Sequence, residues 1–99
     1  MKSKNYQELI VWNKAMDLVS EVYSLTTQLP REELFALSNQ MRRAAVSVPS
    51  NIAEGQQRMA SREFIRFLMI ARGSNGGLQT QLLICARLSY FTGNQIQPA

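Results

Sequence analysis

Val11, Ala15, Leu18, Val22, Leu25 and Leu29 recur at alternating steps of four and three. That rhythm puts all six on one side of an α-helix and leaves a strand no consistent apolar face. A second stripe of Trp12, Met16, Val19 and Tyr23 runs beside the first, and polar residues fill the remainder. An apolar face this wide suits a helix from Glu8 to Leu29 that meets more than one neighbour. One of those neighbours is expected in an oligomer, with Trp12, Met16, Val19 and Tyr23 as its interface. Pro30 ends the helix, because it disfavours helical geometry at Leu29 and cannot continue the hydrogen-bond ladder.

The same spacing resumes at Leu34, Leu37, Met41, Ala44, Val48, Ile52 and Gly55 and passes straight through Pro49. A proline inside a helix removes one backbone bond and costs on the order of 3 kcal/mol. The apolar stripe keeps its phase across Pro49, so the spacing predicts one kinked helix from about Glu32 to Gly55. The alternative is a loop at Val48 to Asn51 between two short helices. Ser50, Asn51 or a water is expected to satisfy the carbonyl of Ala45. Ser47, Asn51 and Glu54 form a polar stripe beside the apolar one, expected to hydrogen-bond within the bundle or across a subunit interface.

Ser61 reads as the N-cap of a third helix, with Phe64, Phe67, Leu68, Ala71, Leu78, Leu82 and Cys85 as its buried face. The run "RGSNGG", Arg72 to Gly77, read alone is a turn. Each glycine in a helix costs roughly 1 kcal/mol relative to alanine. The glycines either permit close helix approach or divide the segment in two. Three broad-faced helices need a fourth covering element. Either the third segment folds back at Gly76 or another chain supplies the cover.

Ninety-nine residues, 45% of them hydrophobic, fit one domain over 1–99. All seven acidic residues lie at or before Glu63, while Arg66, Arg72 and Arg87 follow unopposed, within a net charge of +4. Arg42, Arg43, Arg58, Arg62, Arg66 and Arg72 are the candidate contacts for a polyanion, of which RNA and DNA are the usual kinds. Arg58, Arg62 and Arg66 would share one face if the third helix began early. The bland alternative is a solvated bundle surface, or pairs such as Arg62 or Arg66 with Glu63, the charges of Glu54 and Glu63 being explained by nearby arginines.

Histidine is absent, and with it His-based catalytic triads and nearly all zinc sites. No phosphate-binding glycine motif is present, and the serines lack an activating base, so neither enzyme activity nor a cofactor or metal is expected. The single Cys85 allows no intrachain disulfide, and no segment reads as a signal peptide or membrane span. A cytoplasmic protein is expected.

"VWNKA", "LPREELFAL", "QMRRAAVSVPSNIAEG" and "EFIRFLMIARGS" together resemble the 23S rRNA intervening-sequence proteins. These are small bacterial four-helix-bundle proteins, similar to the accessory variability determinant proteins of diversity-generating retroelements. The resemblance runs from Leu9 to Ser74 and more faintly to Tyr90. It implies an all-α, antiparallel up-down bundle, a standing kink at Pro49, assembly as a homopentameric ring and no enzymatic activity. Nucleic acid and a reverse transcriptase are the partners it implies for members like the retroelement proteins. The family's fourth helix would begin near Thr92, so with the sequence ending at Ala99 it is expected to be missing or very short. The leading expectation is a non-enzymatic oligomer that binds nucleic acid through its arginines. A protein-interaction adaptor with an apolar groove is the competing one.

Overall fold

A computed structural model describes residues 6–90. Three α-helices carry the fold: α1 (Ile10–Thr26), α2 (Leu37–Gln57) and α3 (Ser61–Arg87). No strand occurs among the described residues. Single 3-10 turns at Tyr6–Glu8 and Arg31–Glu33 precede α1 and α2. The expected helix near Thr92 lies outside the described residues.

The helix α2 is the middle of the molecule. Ser47 meets Ser74 and Met41 meets Cys85, so α2 and α3 run antiparallel. Val22 joins Met41 and Ala45 in one apolar cluster, and Ala15 joins Val48 and Ile52 in another, so α1 also runs antiparallel to α2. The first cluster takes in Leu78 and Cys85 from α3, and the second takes in Ala71. The alternating spacing thus becomes two buried clusters along α2, with Met41, Leu78, Val22 and Cys85 in the first and Ile52 in the second, each almost completely buried. Direct packing between α1 and α3 is slight.

Helix α2 is continuous through Pro49, which is itself buried. The loop alternative at Val48 to Asn51 is excluded. The Ser50 hydroxyl donates to Val46 O at 2.7 Å, and the Asn51 amide donates to Ser47 O at 2.8 Å. Each therefore braces a carbonyl beside the proline, and neither serves Ala45 as expected. Helix α3 is likewise continuous through Gly73, Gly76 and Gly77, so it does not fold back at Gly76. Leu78, 1% exposed, anchors the glycine segment to the core, and burial of this kind outweighs a few glycine penalties.

Several boundaries differ from expectation. Helix α1 spans Ile10–Thr26, shorter than Glu8 to Leu29. Helix α2 begins at Leu37, five residues later than Glu32, because Ala36 adopts φ −121° and ψ −98°. Leu34 and Phe35 are exposed there, so no burial extends the helix backwards. The cap of α3 is Ala60, with no side-chain hydrogen bond, and Ser61 is already helical. At its other end Ser89 takes φ 64°, while Ser89 N–H donates to Ala86 O and Tyr90 N–H to Cys85 O. That left-handed residue and bond pair close a helix as a Schellman cap.

Candidate nucleic-acid interface

Arg42 and Arg43 are adjacent in sequence, so on α2 their side chains leave the axis about 100° apart. Arg42 points toward α1 and is half-buried, whereas Arg43 is exposed. The Arg42 Nε–H donates to Thr26 Oγ1 at 2.8 Å. The Thr26 hydroxyl reaches Val22 O at 2.9 Å and Tyr23 O at 3.1 Å, so its own proton has a backbone acceptor. The Arg42 guanidinium carbon also lies 5.0 Å from the centre of the Tyr23 ring. Hydrogen bond and ring together fix the orientation of the guanidinium. No carboxylate lies within ion-pair distance of Arg42 or Arg43 among the described residues. Both border an open cleft of about 510 Å³ completed by Tyr23, Asn39, Val46 and Ser47. Arg42 also walls a smaller recess of about 260 Å³ that reaches Arg31 and Ser38.

The other arginines divide differently. Met59 has φ 65°, a left-handed turn that ends α2 and separates Arg58 from α3. Arg58, Arg62 and Arg66 therefore do not lie along one helix. Arg58 and Arg66 nonetheless converge, with guanidinium carbons 5.2 Å and 4.7 Å from the Phe67 ring centre. Each has a carboxylate partner: Glu54 at 3.0 Å from Arg58, and Glu63 at 3.4 Å from Arg66. Such exposed pairs contribute little stability, about 0–1 kcal/mol. They do offset the local charge. Arg62 and Arg72 are exposed without a carboxylate partner among the described residues. Of the expected pairs Arg66–Glu63 forms and Arg62–Glu63 does not; Arg58 pairs with Glu54, and Arg42, Arg43 and Arg72 have no carboxylate partner among the described residues.

The polar stripe is partly interior. Asn51 Nδ2 donates to Ser47 Oγ at 2.9 Å, and the Ser47 and Ser74 hydroxyls share a hydrogen bond of 2.8 Å that either can donate. This chain of bonds ties α2 to α3. Glu54 is not part of it and faces Arg58 at the surface. The second stripe of α1 is also divided. Trp12 is half-buried and packs 5.2 Å from Tyr6 at a 60° tilt, and Val19 is half-buried against the core. Met16 and Tyr23 stay exposed. Larger apolar exposure lies on α3, at Ile65, Met69 and Leu83. Arginine spacing alone gave no sign of the Tyr23–Thr26 seat beneath Arg42, because the seat belongs to α1 and Arg42 to α2.

Among the described residues no helix is long and apolar enough to cross a membrane, and no group of three His, Cys, Asp or Glu could hold a metal ion. The model of the 23S rRNA-intervening sequence protein family matches residues 7–99. The chain belongs to this family. The match takes in α1, α2, α3 and the arginine cleft, and so extends on both sides of the Leu9 to Ser74 stretch in which the family motifs were read. Comparison with curated proteins finds no match.

Proposed function

We propose that this member of the intervening-sequence protein family is a non-enzymatic, oligomeric, cytoplasmic protein that binds RNA or DNA electrostatically. The observation that carries the reading is the set of arginines without carboxylate partners, Arg42, Arg43, Arg62 and Arg72. Two of them stand side by side at an open cleft. A guanidinium left unpaired beside a second one favours an anionic ligand, and phosphate matches its fork of donors. The exposed apolar residues Ile65, Met69 and Leu83 on α3, with Met16 on α1, support self-association. A five-fold ring of four-helix-type subunits is the first arrangement to test, because the family resemblance implies it. A reverse transcriptase is the protein partner that the same resemblance implies.

Fluorescence anisotropy with a labelled RNA across a salt series tests the binding. Each neutralised phosphate contributes about −0.7 to −0.9 to the slope of log affinity against log salt. Replacing Arg43 and Arg62 together by alanine should weaken every sequence alike and flatten the slope by roughly one to two. Absence of binding, or binding indifferent to salt, sinks the reading. Light scattering on the free protein reads the assembly, and a monomer at micromolar concentration removes that part.

One observation favours the adaptor reading. Val11 belongs to the core-facing stripe of α1 yet is 49% exposed, and α1 barely packs on α3. An amphipathic helix supplied by a partner would cover that side. A salt-insensitive protein complex, lost on Val11→Asp, distinguishes this reading from the first.

A further inference from the structure

We infer that the cleft between α1 and α2 is a nucleotide subsite for single-stranded nucleic acid, in which a base stacks on Tyr23 and Arg42 while the adjoining phosphate is held by Arg43. This rests on the nucleic-acid reading above and adds to it a strand preference and a residue that carries no charge. Three features of the site lead to it. The Arg42 guanidinium is fixed over the Tyr23 ring by its bond to Thr26, so cation and aromatic form one oriented platform before any ligand arrives. Tyr23 remains 43% exposed and borders the cleft, so the platform is open to an entering base. Arg43 stands next to it, exposed and without a carboxylate partner among the described residues.

The chemistry of single strands matches this set. Unstacked bases settle on aromatic rings and guanidinium planes, and their phosphates follow a neighbouring positive charge. A duplex keeps its bases paired and stacked and offers the platform nothing except phosphate. Asn39 lines the same cleft and brings an amide to it, while the Ser47 hydroxyl on its wall is already engaged by Asn51 and Ser74. The volume of about 510 Å³ lies within the roughly 300–1,000 Å³ usual for small-ligand sites. The Phe67 platform differs in kind: its ring is buried, and both guanidinium groups over it already have carboxylates.

The test compares three labelled probes: a twelve-nucleotide single strand, an abasic strand of equal length, and the duplex of the first sequence. The wild-type protein should bind the base-bearing strand about five- to a hundredfold tighter than the abasic one, the range of one stacked base. Tyr23→Leu should erase that preference while leaving affinity for the abasic strand, and the salt slope, unchanged. Arg42→Lys should act in the same way, since it keeps the charge and loses both the planar group and the Nε–H. Arg43→Ala should instead weaken both single strands and flatten the slope. Circular dichroism and melting temperature establish that each variant is folded. Equal wild-type affinity for the base-bearing and abasic strands overturns the inference and leaves electrostatic binding standing, as does a preference that survives Tyr23→Leu. Failure of the wild-type protein to bind any of the three overturns both readings.

Discussion

Gly55 is the tightest site among the described glycines. A Cβ added there would lie 2.6 Å from Phe67 Cβ, 3.1 Å from Phe64 Cδ1 and 3.4 Å from Phe64 Cα. Phe67 Cβ is fixed by its own backbone, so no rotamer change relieves the clash. Restoring carbon contacts of about 3.5–4.0 Å would move α2 and α3 apart by roughly 1 Å, and a gap of that size forfeits a quarter to a half of each neighbouring dispersion contact. Overpacking of this kind costs about 1–3 kcal/mol. The helix-propensity gain from glycine to alanine, at most about 1 kcal/mol, is smaller in the last turn of α2. Gly55→Ala should therefore destabilise by about 1–2 kcal/mol. Gly76 is the control, because nothing lies within 4 Å of its added Cβ. Gly76→Ala should stabilise by up to about 1 kcal/mol. In a domain of this size 1 kcal/mol moves the melting temperature by roughly 4–8 °C, so the two variants should separate on opposite sides of the wild type. Urea unfolding followed by circular dichroism, at protein concentrations low enough to exclude association, reads both. A Gly55→Ala protein as stable as wild type would refute the close-approach reasoning.

Pro49→Ala restores an N–H for Ala45 O, relieves a penalty of about 3 kcal/mol, and loses roughly two buried methylenes at about 0.8 kcal/mol each. Urea unfolding should show a gain of about 1 kcal/mol, and a loss of that size would count against a proline tolerated at local cost. Met59 is 74% exposed and left-handed, so Met59→Gly should stabilise by about 1 kcal/mol, again by urea midpoint, and no gain would show that the turn carries no strain. Tyr90 donates to Glu33 at 2.7 Å, a bond that raises the phenol pKa above 10.0, while burial foremost, then Glu33, raises the Cys85 thiol above 9.0. The fold favours the protonated, neutral form of each. Their stabilisation is complete below those ordinary values and is lost as pH rises through the folded ones. Melting temperature should fall above about pH 9 and further above pH 10. Tyr90→Phe should remove the upper part of that fall, and an unchanged alkaline profile in the variant would disprove the assignment.

The continuity of α2 was legible because Val48 and Ile52 keep phase with Met41 across the proline, and an unbroken helix buries all three on one face. The run from Arg72 to Gly77 was not legible. Intrinsic propensity speaks against a helix there, and the deciding contributions come from Leu78 in the core and Ser74 on Ser47, contacts across a helix pair. The start of α2 misled for the opposite reason. Glu32 and Glu33 suit a helical first turn, yet Phe35 is 89% and Leu34 44% exposed, and Glu33 is engaged by Tyr90 and by the N–H of Leu37. For the candidate site, the arginines were visible as a charge excess. Glu54 with Arg58 and Glu63 with Arg66 stand four and three residues apart, so those pairs are visible in the spacing; the seating of Arg42 on Thr26 and Tyr23, and the separation of Arg58 from α3 at Met59, are not.

Because α2 lies between two helices that scarcely touch, the molecule is expected to assemble in two unequal steps. Helices α2 and α3 are consecutive, joined by the short turn at 58–60, and share most of the close packing, so their pairing closes a small loop and forms early. Helix α1 buries only Ala15, Val22 and Thr26 within its own length and joins as a late addition. Amides of α1 would then exchange with solvent through an opening that leaves the α2–α3 hairpin shut. The same opening parts Tyr23 and Thr26 from Arg42, so the arginine cleft exists only while α1 is docked. Whatever binds there holds down the least secure of the three helices and, by mass action, stabilises it.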